Sequence, residues 1–168
     1  MSPLNTLVYV LAGLLAVWWV AGAYANRRRA DRLLAALRPH LRELAGSASI
    51  RWHGGSAFRI DLQEVAAPFR AVSILALLAG REAPLALLWN RWRGGGDRLV
   101  IEADLQRRPG REAVLEGPEG LPGLPAGSVL ALRREHPHLH LAVPLRGRPE
   151  PVVEATFRML RGPLAGGA

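Results

Sequence analysis

Leu4 to Arg29 reads LNTLVYVLAGLLAVWWVAGAYANRRR, and the architecture of the chain turns on what this stretch is. From Leu4 to Ala25 it consists of Leu, Val, Ala, Gly and aromatics, softened only by Asn5 and Thr6. As an α-helix rising 1.5 Å per residue it would span roughly 33 Å, enough to cross a hydrocarbon core of about 30 Å. A core helix of this length normally carries a polar face, and none is visible here. Trp18, Trp19 and Tyr24 fall toward its C-terminal end, where amphipathic rings favour the lipid headgroup region. The stretch predicts a single transmembrane helix over 4–25, with the lipid bilayer as the first partner.

The rival reading is a cleaved signal peptide, because Ala21-Gly22-Ala23 and Ala23-Tyr24-Ala25 resemble small-residue cleavage sites. A signal peptide places its positive charge before the apolar run, whereas Met1 to Asn5 has no basic side chain. Arg27, Arg28 and Arg29 come directly after the run and should hold that end in the cytoplasm. The expectation is an uncleaved signal-anchor in the cell membrane, N-terminus outside and the rest of the chain cytoplasmic.

Charge supports this division. The formal net charge is +8, and every basic side chain is Arg. Residues 27–46 hold Arg27, Arg28, Arg29, Arg32, Arg38 and Arg42 against Asp31 and Glu43, so half of the excess lies in one short stretch beside the apolar run. That pattern is a membrane signal first, and it makes a nucleic-acid partner unlikely to be the reason for the basic balance. The absence of Lys, with few Asn and Gln, fits a GC-rich genome or thermophily. Without cysteine, disulfides, thiolate ligands and thiol chemistry are excluded.

Past the anchor, Leu33, Leu34, Leu37, Leu41 and Leu44 recur at helical spacing between Arg32, Arg38 and Arg42. This predicts a basic juxtamembrane amphipathic helix over 26–46, continuing the anchor, with Pro39 as a possible kink and Gly46 as the stop. Its leucine stripe could face acidic headgroups, or pack on the domain or a partner helix.

From Ala48 the period changes to two. Ile50 and Trp52, then Phe58, Ile60 and Leu62, then Leu99, Ile101, Ala103 and Leu105, then Leu139, Leu141, Val143 and Leu145 alternate with polar residues. Strands with one apolar and one polar face belong to an antiparallel sheet that is wet on one side. Phe69 to Ala79 is apolar on both faces and suits a central strand covered above and below. Arg111 to Glu116 and Ser128 to Arg134 are shorter candidates, separated by a Pro- and Gly-rich loop over 117–127. Pro84 to Trp92 fits a short helix and Pro151 to Leu160 a stronger one with a single apolar stripe. The expected fold class is α+β: the transmembrane helix, then a two-layer domain over 47–161 with a mainly antiparallel sheet of about six or seven strands under a C-terminal helix. Residues 162–168 read as a disordered tail.

Two groups of residues could carry chemistry. His136, His138 and His140 would share one face of a strand, at a spacing that paired imidazoles can bridge to a metal ion, with Asp61, Glu102 or Asp104 completing the set. Pro137 argues for an edge or an irregular start, and the bland alternative is a polar strand face. Arg27, Arg28, Arg29 and Arg32, with Trp89, Arg91, Trp92 and Arg93 ahead of Gly94-Gly95-Gly96, could bind headgroups or other anions. No phosphate loop, dinucleotide fingerprint or Gly-x-Ser-x-Gly elbow is present, so no catalytic residue is assigned and no cofactor is expected beyond a possible metal ion. The leading expectation is a non-enzymatic accessory, assembly or interaction subunit with protein partners in the membrane or at its cytoplasmic surface. The alternatives are a membrane-bound metal-dependent hydrolase built on the three His, and a module that binds anionic lipid or another polyanion.

Overall fold

The computed structural model describes residues 2–81, 83, 88, 92 and 95–161. It opens on one unbroken helix, α1 (Pro3–Leu44), capped by the Ser2 hydroxyl, which accepts from the Asn5 N–H at 3.4 Å, and by Pro3 in the first turn. Its 42 residues span about 63 Å, and the two halves meet different surroundings. Residues 3–21 are exposed on every side. The apolar window that makes α1 long and apolar enough to cross a membrane is only 6% buried. From Gly22 the pattern becomes a seam: Gly22, Asn26, Ala30, Leu33, Leu37, Leu41 and Leu44 are buried, at steps of three and four.

Pro39 lies inside α1 on its exposed side. Proline deprives the carbonyl four residues back of its helical donor, and that residue, Ala35, is exposed, so water can satisfy it. The helix ends two residues before Gly46, the expected stop. Ala45 is extended (φ −146°, ψ 147°), donates its N–H to the Leu41 carbonyl, and is already the first residue of β1. Gly46 therefore sits in a strand, where a Cβ would come within 2.5 Å of the Glu64 carboxylate. No linker separates α1 from the sheet.

Seven strands form one antiparallel sheet: β1 (Ala45–His53), β2 (Ala57–Val65), β3 (Phe69–Leu77), β4 (Arg98–Leu105), β5 (Ala113–Glu116), β6 (Val129–Leu132) and β7 (Leu139–Pro144), in the order β1-β2-β3-β4-β7-β6-β5. The first four are sequential neighbours. The chain then runs out to the far edge at β5 and returns through β6, so that β7 closes beside β4. The loop over 117–128 holds one helical turn, α2 (Gly117–Gly120), and buries Leu121 and Leu124. The last helix is α3 (Pro149–Arg161).

The inner face carries Phe58, Ile60 and Leu62 from β2, Val72, Ile74 and Ala76 from β3, Leu99, Ile101 and Ala103 from β4, and Leu139, Leu141 and Val143 from β7, all buried. Two helices lie over it: the second half of α1, and α3 through Val153, Thr156, Phe157 and Leu160. They also touch one another. The His40 ring stacks on Phe157 with centroids 4.8 Å apart, and Arg161 pairs with Glu43. Buried Thr156 turns its hydroxyl back to the Val152 carbonyl at 2.6 Å, which satisfies the group within its own helix.

Two expectations need correction here. Among the described residues the sheet is covered on one face only, so β3 is not sandwiched: Phe69, Val72, Ile74 and Ala76 are buried, Leu75 is half-buried, and Ala71 and Leu77 are exposed. Leu75 lies opposite Arg59 and Val100 on the open face, where an arginine stem can shield an aliphatic neighbour. The imidazoles also do not share a strand face, because β7 begins only at Leu139. Pro137 has no N–H to give to a ladder, and residues 134–138 form a bend, closed by the Arg133 N–H donating to the His138 carbonyl at 2.8 Å. The helix expected over 84–92 lies outside the described residues except for Leu88 and Trp92, both exposed. The tail over 162–168 lies outside them too.

Candidate functional site

The strands set two ends to the domain, and each holds one of the predicted groups. At one end, beside residues 22–32 of α1, lie the β1–β2 turn, the end of β3, the start of β4 and the end of β7. At the other lie the starts of β5 and β7 and the end of β4.

The histidines occupy the far end. His136 Nδ1 lies 2.7 Å from Asp104 Oδ1. An ionised carboxylate can only accept, so this nitrogen carries the proton. His138 is buried, 2% exposed, and its ring tilts against that of His136 with centroids 4.2 Å apart. Asp104, His136 and His138 can bring ligand atoms within 4.8 Å of one another. His140 stands apart on β7, with Nδ1 3.6 Å from Glu102 Oε1. The donor chemistry of the trio decides what it can do. The Leu105 N–H donates to His138 Nδ1 at 3.1 Å, so that nitrogen holds its lone pair for the backbone and the ring proton sits on Nε2. Nε2 is buried with no hydrogen-bond partner. A metal-bound imidazole normally donates its second N–H to a neighbour, the reverse of this arrangement. As folded, His138 therefore extends the end of the β4–β7 ladder by accepting from Leu105, and His136 and Asp104 form a partly exposed pair.

On the open face, the register aligns Asp61, Ser73, Glu102 and His140 across β2, β3, β4 and β7. Arg51 and Arg59 both pair with Asp61, the latter at 2.7 Å. Partial burial pushes the Asp61 carboxyl up, but hydrogen bonds from Arg51, Arg59 and Ser73 and the charge of Arg59 outweigh it and hold the group down at about 2. The row consumes its charges in pairs, as cross-strand neighbours do on a solvated face.

The arginines after the apolar run gather at the near end. Arg27 forms an i,i+4 pair with Asp31 (3.6 Å) and lies over the Trp52 ring at 4.7 Å. Arg28 lies over Tyr24 at 4.9 Å. Arg29 reaches into the domain, with Nε 3.0 Å from Asp97 Oδ2, and donates to the Leu145 carbonyl at 3.4 Å. Of the aromatics, Trp18 donates its indole N–H to the Arg81 carbonyl at 3.2 Å, while Trp19 and Tyr24 are exposed. Trp92 is 81% exposed, and Trp89, Arg91 and Arg93 lie outside the described residues.

Three residues at this end had no role assigned from the sequence: Asn26, Arg81, and Asp97, which directly follows Gly94-Gly95-Gly96. Arg81 donates to the Asn26 side-chain oxygen at 2.7 Å and to both Asp97 oxygens at 3.1 Å. Asp97 also accepts the Ala79 N–H at 2.8 Å. The available signal was modest: an Asp at the head of a strand, and an Asn four residues from both Gly22 and Ala30 on the seam of α1. Compared with known proteins, the chain matches no family model and no curated protein sequence.

Proposed function

We propose that the protein is a single-pass, membrane-tethered and non-enzymatic subunit whose α+β domain lies in the cytoplasm and engages a protein partner in or at the membrane. One observation carries the reading: the first half of α1 is apolar and exposed, and the same helix, with no linker, becomes half of the cover over the sheet. A core helix of a soluble protein would be mostly buried, and this segment is not. Arg27, Arg28, Arg29 and Arg32 follow the apolar run and favour the inward orientation. Gly22, Asn26 and the Trp18 bond to Arg81 tie the end of the apolar run to the domain, which gives the small residues there a packing role and speaks against loss of the segment by cleavage. The paired groups support a non-enzymatic role, because Asp61 is held by Arg51 and Arg59, and Asp97 by Arg29 and Arg81.

Two measurements test this. A reporter fused after Ala168 is expected to be active only in the cytoplasm, and activity confined to the outside would overturn the orientation. Purification in gentle detergent, with proximity labelling in cells, is expected to return a reproducible membrane-associated partner. A chain that runs alone in both experiments is not a subunit.

A further inference from the structure

Between α1 and the near end of the sheet lies a cavity of about 660 Å³ whose wall is built largely from Arg28, Arg29, Arg32, Arg81, Asp97 and Gly96. Among the described residues, four guanidiniums face one carboxylate. Asp97 is already saturated: its side chain is 3% exposed, and it takes the Ala79 N–H together with Arg29 and Arg81. Arg29 and Arg81 are themselves largely withdrawn from water, with side-chain exposures of 17% and 29%. One carboxylate cannot neutralise two such cations, and a partly desolvated surplus of positive charge is costly unless an anion answers it. Arg28 and Arg32 add two more charges at the rim. Arg32 has no hydrogen bond or ion pair among the described residues, and Arg28 has only the Tyr24 ring. Planar guanidinium forks match phosphate oxygens bidentately, which makes them the usual choice for such ligands.

We propose that this cavity is a binding site for a phosphate-bearing anion, held by Arg28 and Arg32 over the Arg29–Asp97–Arg81 network, and that an anionic phospholipid headgroup is its source. The phosphate chemistry stands on the cavity alone. The headgroup source rests on the tethered reading, since the site begins where the apolar run of α1 ends, at Ala25, the level at which a spanning helix meets the phosphate layer.

The test uses the full chain in a neutral maltoside micelle, titrated calorimetrically with three probes: short-chain phosphatidylglycerol, the matching diacylglycerol without phosphate, and inorganic phosphate. R28Q/R32Q is compared with R107Q/R108Q, which removes the same charge from the far end and leaves the Asp97 network alone in both cases. Phosphatidylglycerol is expected to bind stoichiometrically, to lose about tenfold or more in affinity in R28Q/R32Q, and to change by no more than about twofold in R107Q/R108Q. If inorganic phosphate binds as tightly with the same variant dependence, the source is a free phosphate compound and the headgroup assignment falls. If diacylglycerol binds equally well, if neither phosphate probe binds, or if both double variants weaken binding alike, there is no phosphate site here. Alkaline carbonate extraction of membranes carrying the full chain reads the tether separately. A chain that is released, yet still binds phosphate in a variant-dependent way, removes the tether and leaves the site.

Discussion

Replacing Asp97 by Ala would leave the guanidiniums of Arg29 and Arg81 facing each other with no counter-charge, and would strip the Ala79 N–H of its acceptor. Removing one partner of a buried ion pair costs about 3–5 kcal/mol. Asp97→Ala is therefore expected to lose stability on that scale in detergent denaturation, and Asp97→Asn, which keeps an acceptor for Ala79, to lose less. A loss within the scatter of surface substitutions would mean that the network does not hold α1 to the sheet. Asp61 makes a prediction with a sign. Its carboxyl falls from an ordinary 3.8 to about 2 in the folded chain, so the charged form is the one that folding favours. The stability it contributes is full above the ordinary value and is lost as pH falls through about 2. Wild type should exceed Asp61→Asn in stability near neutrality, and the gap should close only on strong acidification; a gap independent of pH would contradict this. At this scale the sequence was least legible. His136, His138 and His140 looked like one set because strand geometry places alternate residues together, but the strand begins only after Pro137, at Leu139, too late for that rule to apply. Asp97 was hidden behind a run of glycines, and nothing local says that its partners lie on a helix and a loop remote in sequence.

Leu33 and Leu37 sit at the centre of the α1 seam and are fully buried against the domain. Truncating such a side chain to Ala costs about 2–5 kcal/mol, so Leu37→Ala is expected to destabilise a domain that lies outside the apolar run altogether. A deletion pair makes the same point more sharply. A chain beginning at Ala21 keeps the seam and is expected to fold as a soluble domain, with cooperative melting and a strand-rich circular dichroism spectrum. A chain beginning at Ser47 keeps every strand except the first two residues of β1, loses half the cover of the sheet, and is expected to aggregate. Equal folding of the two would show that α1 is not part of the core. The strands and α3 were legible because alternation with period two, and a stripe with period 3.6, report directly on burial. The leucine stripe of α1 was legible as a helix, but a stripe does not say what it faces. The choice was nevertheless available by counting. Five strands with an apolar face, spaced about 4.8 Å apart, need a cover roughly 24 Å wide, and one helix about 10–12 Å across cannot supply it. The second helix had to come from somewhere, and α1 was the long helix already marked in the sequence.

Because α1 passes from exposed segment to domain core without a break, the proposed tether fixes how the domain stands on the bilayer. His53, at the β1–β2 turn beside Trp52 and Arg27, belongs to the end nearest the apolar run. Arg107 follows β4 at the opposite end, about 25 Å away along an eight-residue strand. The chain has no cysteine, so His53→Cys and Arg107→Cys can each carry a single fluorophore. Nitroxide-labelled lipid headgroups are expected to quench the label at position 53 strongly and that at 107 weakly; equal quenching would mean a domain that tumbles freely or lies flat. The overall α+β layout was readable from composition and periodicity, while the strand order was not, since the return of β7 to the side of β4 depends on pairings that no single strand encodes. The unbroken helix has one more consequence, and it concerns time. Its leucine seam leaves the ribosome before any strand, but the sheet it covers is closed only when β7 and α3 have been made, roughly a hundred residues later. At about 5–20 residues per second, the nascent chain spends on the order of ten seconds with that seam uncovered, next to the segment that the proposed tether assigns to the bilayer. On the tethered reading, delivery of the apolar run precedes completion of the domain, and whatever shelters the seam during that interval is a requirement of this chain's synthesis rather than of its finished form.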